Sequence, residues 1–348
     1  MKLTSKLGIL LIASAGFIAC ETDDNGLSTT TDDDGSANLE LDNSLFATSN
    51  TSGDITVYDV EDIASVTAST FGTAATDTEG IYYDSSDDEV IQISRSESQI
   101  QAFGDLSLNV AGIALNASVS STASLSSPRD LAVNDNIYVV ADNADVDGDD
   151  STDDGRLFIY TRGDDGSITL RNTVTVNFAV WGIEFDGDTL IAVVDKTSDV
   201  AIFENFADSN TTDATVEATK TITIEGIVRT HGLAVDGGTL ILTDVGSATD
   251  DADGAFHIIS DYASKFASVA SGETLAVVGN QVRVAGDATF LGNPVAAEYD
   301  AESNVVFIAE RANGGGRILA FSNAQAGGNL TPSVNNELEG ASSLYLNE

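Results

Sequence analysis

Four residues that can carry chemistry recur about 50 positions apart along this 348-residue chain. They are Glu79, Arg129, Trp181 and His231, and Trp181 is the single tryptophan of the sequence. A guanidinium group contacts anions or sugar hydroxyls, an indole ring stacks on flat or sugar-ring surfaces, and an imidazole titrates near neutral pH. If the fold brings these positions together, we expect a site that binds a small molecule, a glycan or a group on a protein partner.

A second candidate site lies in the acidic segment NADVDGDDSTDD at residues 143–154. Oxygen-bearing residues fall at its positions one, three, five, seven, nine and twelve, namely Asn143, Asp145, Asp147, Asp149, Ser151 and Asp154. This spacing resembles the calcium-binding EF-hand loop, with Gly148 at the turn and a backbone carbonyl from Asp149, and it implies a Ca²⁺ site. The segment departs from that family because position one is Asn, position twelve is Asp and no flanking helices are predicted. The alternative is a solvated loop in an acidic protein, and a weaker copy, TDDADG, occurs at 249–254.

An internal repeat explains the spacing of the first four residues. Residues 181–196 read WGIEFDGDTLIAVVDK and residues 231–246 read HGLAVDGGTLILTDVG, and similar segments occur at 79–94, 129–142 and 295–310. Each copy has an apolar strand, a turn of Asp, Gly, Asn or Ser and a second β-rich strand, which is typical of a β-hairpin. A third strand follows each hairpin, at 53–59, 98–104, 155–161, 198–204, 254–260 and 316–322.

The repeat predicts an all-β fold, a six-bladed β-propeller with four antiparallel strands per blade over residues 43–348. The first blade has no inner strand before residue 44, whereas GASSLYLNE at 340–348 is an inner strand without a partner. We therefore expect the C-terminal strand to join blade one and close the ring, which removes an open sheet edge. A short helix is predicted within residues 260–271.

Topology then places the candidate residues. In a propeller blade the innermost strand starts at one end of the central channel, so the residues just before each inner strand encircle that end. In ring order they are Ala341, Glu79, Arg129, Trp181, His231 and Val295. The sequence predicts a ligand site here, on solvated loop ends that carry little folding energy. The alternative is that channel mouths collect varied residues because they are unconstrained.

These repeats resemble the six-bladed propeller superfamily that includes NHL-repeat and gluconolactonase-like proteins. The resemblance implies the fold, and for gluconolactonase-like enzymes it implies a divalent metal held in the channel by carboxylate and Asn side chains. Here Glu79 and Asp130 are the residues that could serve, and Arg129 beside them opposes a cation. Motifs for a Cys nucleophile, a nucleophile elbow, a zinc-binding HExxH helix and a P-loop are absent from the sequence.

The N-terminus predicts export and lipidation. MKLTSK, the apolar run LGILLIASAGFIA and then Cys20 are typical of a signal peptide over residues 1–19. The stretch FIAC resembles the lipobox of bacterial lipoproteins, which implies a lipid on Cys20, the only cysteine. The acidic segment after it, predicted as a flexible tether over residues 20–42, looks like the surface-export signal of Bacteroidetes lipoproteins. The alternative is an ordinary signal peptide.

The formal net charge of −42 excludes nucleic acid as a partner, because such a surface repels phosphates. The leading hypothesis is a lipoprotein of the outer membrane and cell surface that binds a ligand at the channel mouth. The first alternative is a metal-dependent hydrolase or lactonase of the same fold. The second is a scaffold lipoprotein without a ligand.

Overall fold

The computed structural model describes residues 27, 29–31, 37–149, 151–247 and 250–348. They form a six-bladed β-propeller, in which six small sheets surround a central channel. The fold class predicted from the repeat is therefore confirmed. Cys20 and the predicted signal peptide lie outside the described residues.

The strands alternate along the chain with short turns. In chain order they are β1 (Thr29–Thr31), β2 (Ala37–Leu39), β3 (Ser44–Ser49), β4 (Ile55–Asp59), β5 (Thr67–Phe71), β6 (Thr78–Asp84), β7 (Glu89–Ser94), β8 (Gln99–Phe103), β9 (Val119–Ser120), β10 (Pro128–Asn134), β11 (Ile137–Asp142), β12 (Gly155–Arg162), β13 (Ile168–Val176), β14 (Val180–Asp186), β15 (Thr189–Val194), β16 (Asp199–Phe203), β17 (Ala214–Thr215), β18 (Lys220–Ile224), β19 (Leu233–Asp236), β20 (Thr239–Asp244), β21 (Ala255–Ile259), β22 (Thr274–Leu275), β23 (Val282–Ala285), β24 (Pro294–Asp300), β25 (Val305–Glu310), β26 (Arg317–Phe321), β27 (Val334–Glu337) and β28 (Ala341–Asn347).

Helices are short. The α-helices are α1 (Phe206–Ser209) and α2 (Tyr262–Ala267), and 3₁₀ turns occur at Leu106–Leu108, Asn313–Gly315 and Ala324–Ala326. The helix α2 confirms the helix predicted after the third strand of blade five. Among the described residues, no helix has the length and apolar character needed to cross a membrane.

The four main strands of each blade are antiparallel, and outside blade one they follow one another outward from the channel in sequence order. Blades three and four differ from the prediction of four strands, because each gains a fifth, two-residue strand. The added strands are β17 and β22, and both pair in parallel with the fourth strand of their blade. Each comes from the long connection between the third and fourth strands of the next blade, so that connection covers the outer edge of the blade before it.

The C-terminal strand closes the ring as predicted. β28 pairs in antiparallel register with β3, with Leu346 opposite Leu45, so blade one contains both ends of the repeat region. The hydroxyl groups of Ser342 and Thr48 lie 2.8 Å apart, and the Ser343 hydroxyl accepts a 2.6 Å hydrogen bond from the backbone N–H of Gly80 in blade two. The C-terminal strand β28 is therefore bonded both to β3 in its own blade and to blade two.

The core is divided among the blade junctions. Six clusters of buried apolar residues occur in the described part of the chain, one between each pair of neighbouring blades. The two faces of one strand serve two junctions, since successive side chains point in opposite directions. In β11, for example, Val139 packs toward blade four and Val140 toward blade two.

The packed structure begins before residue 43. Leu27 and Leu41 are buried in the cluster between blades one and two, and β1 pairs with β2. Apolar residues of the segment predicted as a tether over residues 20–42 thus pack in the core. The Asn347 amide donates a 2.8 Å hydrogen bond to the Leu41 carbonyl, which puts this segment at the channel end opposite the start of the inner strands.

Candidate functional site

The site is the end of the channel where the inner strands begin, called here the mouth. Five inner strands carry a register irregularity at this end. A bulged residue loses its ladder partner, so its side chain can take a new direction. Arg129 and Trp181 both lie in such irregular positions, which brings their side chains to the mouth.

Glycine follows the mouth residue in three copies of the repeat because inner strands approach closely there. A Cβ atom on Gly182 would lie 2.4 Å from the carbonyl oxygen of His231, and one on Gly232 would lie 2.6 Å from Cα of Ala296. Real Cβ atoms do not tolerate such distances. The recurring Trp-Gly and His-Gly pairs thus reflect how tightly the channel narrows below the mouth.

Three of the four predicted residues form one stack. The Arg129 guanidinium lies 4.2 Å from a ring centre of Trp181, and the rings of Trp181 and His231 are 3.9 Å apart with only 6° between their planes. Arg129 comes from blade three, Trp181 from blade four and His231 from blade five. The fold therefore brings together residues that are about 50 positions apart in sequence, as the repeat predicted.

Burial at the mouth is greater than the sequence predicted. Exposed fractions are 2% for Glu79, 3% for His231 and 9% for Trp181. The expectation of solvated loop ends that carry little folding energy was wrong, because the residues pack on one another across the channel. Trp181 also belongs to the core between blades four and five, so its indole is not an open stacking platform.

Glu79 is the centre of a cluster of arginines. One of its carboxylate oxygens lies 3.5 Å from Nη1 of Arg95 and 4.0 Å from Nη1 of Arg129. Arg311 of blade six contributes a third positive charge that acts on this carboxylate, and Asp77 a negative one. Burial raises the pKa of Glu79 to about 7, against the opposing effect of the three guanidinium groups. Burial of the Glu79 carboxylate therefore raises its pKa by more than the nearby arginines lower it.

A second cluster surrounds Asp195. Its Oδ1 accepts a 2.9 Å hydrogen bond from Nε of Arg229 and lies 3.3 Å from Nε2 of His231. Burial would raise the pKa of Asp195, but the close contact with the His231 ring and the charge and hydrogen bond of Arg229 bring it below its usual value. Burial lowers the pKa of His231, which keeps the imidazole neutral near pH 7. Neither ring nitrogen of His231 makes a hydrogen bond of good geometry.

Sequence reasoning missed Arg95, Arg229, Arg311 and Asp195. A signal was present, because Arg95 and Arg311 each directly follow the last residue of the second strand in their blade. Asp195 holds the corresponding place in blade four. Alignment of the strand ends, rather than of the inner strands alone, would have placed these residues in a second ring around the mouth.

In three blades, the last residue of the second strand is acidic and has a structural role. Asp142, Asp244 and Glu310 are buried and accept backbone N–H bonds from the loop that precedes their own inner strand. Glu310, for example, takes bonds of 2.9 and 2.8 Å from Gly292 and Asn293. These carboxylates replace backbone partners that a loop lacks, so they are structural.

Known proteins were compared with the chain. No protein-family model and no curated protein sequence matches it. Solved structures match along 88% of the chain. A chain in the crystal structure of a nidogen/laminin complex has a TM-score of 0.55 and 14% identity, with 98% of that chain covered.

Two further matches are described as putative 6-phosphogluconolactonases from Bacteroides species. The one from Bacteroides fragilis has a TM-score of 0.57, 11% identity and 98% of that chain covered. The one from Bacteroides uniformis has a TM-score of 0.56, 10% identity and full coverage, 100%, of that chain. These likenesses show the fold.

The residues at the mouth do not fit a divalent metal. The Glu79 carboxylate is paired with arginines, the Asp195 carboxylate with Arg229, and the amide oxygen of Asn143 accepts a 2.9 Å hydrogen bond from Nε of Arg129. Guanidinium groups take the place that a cation would need, and they repel it. Converging groups of three acidic residues in the described ranges lie elsewhere, in the loop after β11 and at the opposite channel end.

The predicted calcium loop, residues 143–154, converges only in part. Ligand atoms of Asp145, Asp147 and Asp154 lie within 4.8 Å of one another, and Gly148 has the positive φ, 79°, that a sharp turn needs. Asn143 lies apart from these three carboxylates, because its amide oxygen accepts hydrogen bonds from Nε of Arg129 and from the Ser127 hydroxyl, which lies 2.8 Å away. The Asn143 side chain thus contacts the mouth and not the acidic loop.

The other predicted calcium ligands are engaged within the loop. The Ser151 hydroxyl donates a 2.6 Å hydrogen bond to Oδ1 of Asp149, and the Asp149 carbonyl accepts a 2.9 Å bond from the backbone of Thr152. A cavity of about 150 Å³ lies between this loop and the residues Asp195 and Lys196. The acidic loop and the mouth are therefore neighbours on one face of the propeller.

The opposite end of the channel is acidic. A cavity of about 320 Å³ extends along the channel toward that end, and it is lined by Asp130, next to Arg129, and by Glu184 and Glu298 further along their strands. Asp130 accepts 2.9 Å bonds from the backbone N–H groups of Leu131 and Ile183, and burial raises its pKa to about 7. Burial, and then the charge of Glu298, raise the pKa of Glu184. The two ends of the channel thus differ in the sign of their charge.

Proposed function

We propose that this protein is a ligand-binding propeller that recognises an anionic group of a small molecule, a glycan or a protein partner at the mouth. The observation that carries this proposal is the approach of Arg95 and Arg129 to the buried Glu79 carboxylate, on which the charge of Arg311 also acts. With Arg229, four of the 14 basic residues of a chain with a net charge of −42 lie at this one place.

A structural role alone accounts poorly for this cluster. The guanidinium groups of Arg95 and Arg129 repel each other, and the shared carboxylate of Glu79 is itself costly to bury. A ring closed by apolar contacts would avoid both costs, as the mouth position Val295 in blade six does. Charges that are held close against their repulsion are typical of sites where an opposite charge binds.

Membrane attachment through a lipid on Cys20 is part of the proposal. The packed structure begins near Leu27, which contacts the outer strand of blade one, and continues to Leu41 at the channel end opposite the mouth. A chain anchored a few residues before Leu27 would present the mouth away from the membrane. This geometry supports a lipoprotein of the outer membrane and cell surface that meets its ligand in the medium.

The test is a screen of glycans and anionic metabolites against the wild type, followed by Arg95→Gln and Arg311→Gln. We expect ligands of the wild type to lose most of their affinity for both variants, because each removes one of the converging charges. Arg283→Gln is the matched control, since Arg283 lies on the outer strand β23 with its side chain 46% exposed. Ligands that bind all four proteins equally would place the binding site elsewhere.

A hydrolase or lactonase is the second candidate. The observation that favours it is the contact of the neutral imidazole of His231 with Asp195, since a carboxylate beside an imidazole orients it as a general base. The two structures described as putative 6-phosphogluconolactonases show that this fold occurs in proteins with that description. This function would be supported if the wild type hydrolyses a sugar lactone and the rate falls at least tenfold in Asp195→Asn, which corresponds to about 1.4 kcal/mol in the activation barrier.

A further inference from the structure

The inference that follows rests on the proposed function of the mouth and names the chemical group that is bound there. Around Glu79 the described charged groups are Arg95, Arg129 and Arg311 on the positive side and Asp77 and Asp130 on the negative side. Three guanidinium groups thus face two carboxylates besides Glu79 itself. The mouth therefore concentrates positive charge within a strongly acidic protein.

We propose that the mouth binds a single compact oxyanion, a carboxylate, sulfate or phosphate monoester group, which competes with the Glu79 carboxylate for the guanidinium groups of Arg95, Arg129 and Arg311. A guanidinium presents a planar fork of donors that suits the oxygens of such groups. The Glu79 contacts of 3.5 and 4.0 Å are long for charge-assisted bonds, so a better-placed oxyanion can replace them.

The surroundings of the mouth limit the ligand to one charged group. The acidic loop with Asp145, Asp147 and Asp154 borders it on one side, and Asp153 holds the nearby Lys196 at 2.6 Å. An extended polyanion would have to lie across these carboxylates, and repulsion would oppose it. A small ligand, or a chain end, reaches the arginines without crossing the acidic surface.

A polar side chain without a good partner adjoins the cluster. His231 is 3% exposed, and both of its ring nitrogens lack a hydrogen bond of good geometry. It is linked to Arg129 through the ring of Trp181. A ligand whose hydroxyl groups flank the oxyanion would supply partners for this imidazole, as the hydroxyl groups of a sugar acid or sugar ester do.

Competition with Glu79 makes binding depend on pH. Protonation of Glu79, whose pKa is about 7, removes the competitor, so the oxyanion binds more tightly as the pH falls through 7. The other charged groups that face Glu79 are Arg95, Arg129, Arg311, Asp77 and Asp130. Burial raises the pKa of Asp130 to about 7 as well, so its protonation favours the oxyanion in the same direction. The arginines stay charged over this range. The nearby imidazole of His231 has a lowered pKa and stays neutral near pH 7.

Inorganic sulfate is the probe, because it stays ionised throughout and any change with pH belongs to the protein. Binding is followed by the fluorescence of Trp181, the single tryptophan, at constant ionic strength with chloride as the replaced anion. We expect saturable binding to the wild type that tightens below pH 7. We expect Glu79→Gln to bind sulfate about tenfold more tightly above pH 7, a change that corresponds to about 1.4 kcal/mol. The variant should lose most of the pH dependence and keep only the part due to Asp130.

Control variants and sugars separate the possible failures. Arg311→Gln should weaken sulfate binding and Arg283→Gln should not, and a uronic acid, a sugar sulfate and a sugar phosphate then identify which oxyanion is preferred. Equal affinities of wild type and Glu79→Gln at every pH would overturn the inference. Neutral sugars that bind at the arginines and are not displaced by sulfate would also overturn it while leaving the proposed function intact. If neither sulfate nor any screened ligand responds to the arginine variants, both proposals fail.

Discussion

Replacement of Glu79 by Gln should stabilise the folded protein above neutral pH. The substitution keeps the size and the hydrogen-bonding oxygen of the side chain but removes its charge. Glu79 is 2% exposed, and its pKa is about 7 in the folded protein against an ordinary value of 4.5. The ionised carboxylate is therefore a net cost to the fold, despite the arginines beside it.

The sign and size of the effect follow from proton linkage. Because the folded state binds the Glu79 proton more tightly than the unfolded state, its stability is highest below 4.5 and is lost as the pH rises toward 7. The difference between the two pKa values corresponds to roughly 3 kcal/mol, since each tenfold change in an acid's dissociation constant is worth about 1.4 kcal/mol. For a protein of this size that amounts to a melting-temperature change on the order of 5 °C.

The assay is thermal unfolding of wild type and Glu79→Gln across the range from acid to alkaline pH, with Glu302→Gln, an exposed carboxylate, as control. Asp130, whose pKa is also raised to about 7, contributes a slope of the same sign to both proteins. Burial is the main cause of that shift and is the same in both, whereas the smaller effect of the Glu79 charge is lost in the variant. We expect the melting temperatures of the two proteins to be equal at acid pH and to diverge as the pH rises through 7, with the variant the more stable. A variant that melts below the wild type above pH 7 would show that the ion pairs of Glu79 outweigh its burial, and would refute this reasoning.

Four other predictions concern the rest of the chain. Trp181→Ala should lower stability by about 3–5 kcal/mol, because the indole is 9% exposed; melting at the wild-type temperature would contradict its packed position. Deletion of residues 340–348 should cost several kcal/mol, of the order of the whole stability, and a truncated protein that melts normally would argue against ring closure. Calcium should raise the melting temperature at fixed ionic strength, and the double variant Asp145→Ala with Asp147→Ala should not respond; identical responses would exclude the loop. A palmitate analogue should label the wild type but not Cys20→Ser, and equal labelling would exclude the lipid.

The repeat in the sequence was sufficient for the fold. The third strand of blade three was predicted at 155–161 and lies at Gly155–Arg162, because alternation of apolar residues and a starting Gly define such a strand locally. Closure by β28 followed from counting unpaired strands at the two ends. The fifth strands β17 and β22 were not predicted, since each is two residues long and leaves no periodic pattern.

The composition of the site could be predicted only in part. The repeat placed Arg129, Trp181 and His231 around one opening, but it could not show that they stack on one another. That depends on the register irregularities and on the width of the channel, which single-strand patterns do not encode. Asn143 fitted a calcium loop in sequence, yet its amide binds Arg129 because the two strands that carry them are neighbours in space.

The affinity of the strongest ligand from the screen for Arg311→Gln, relative to Arg283→Gln, tests the central claim most directly. Both substitutions remove one positive charge from a protein with a net charge of −42, so long-range attraction changes equally. Arg311 faces Glu79 at the mouth, whereas Arg283 lies on an outer strand. We predict that Arg311→Gln loses at least about tenfold in affinity, the effect of roughly 1.4 kcal/mol, while Arg283→Gln binds like the wild type. Equal affinities for the two variants would contradict a binding site at the channel mouth.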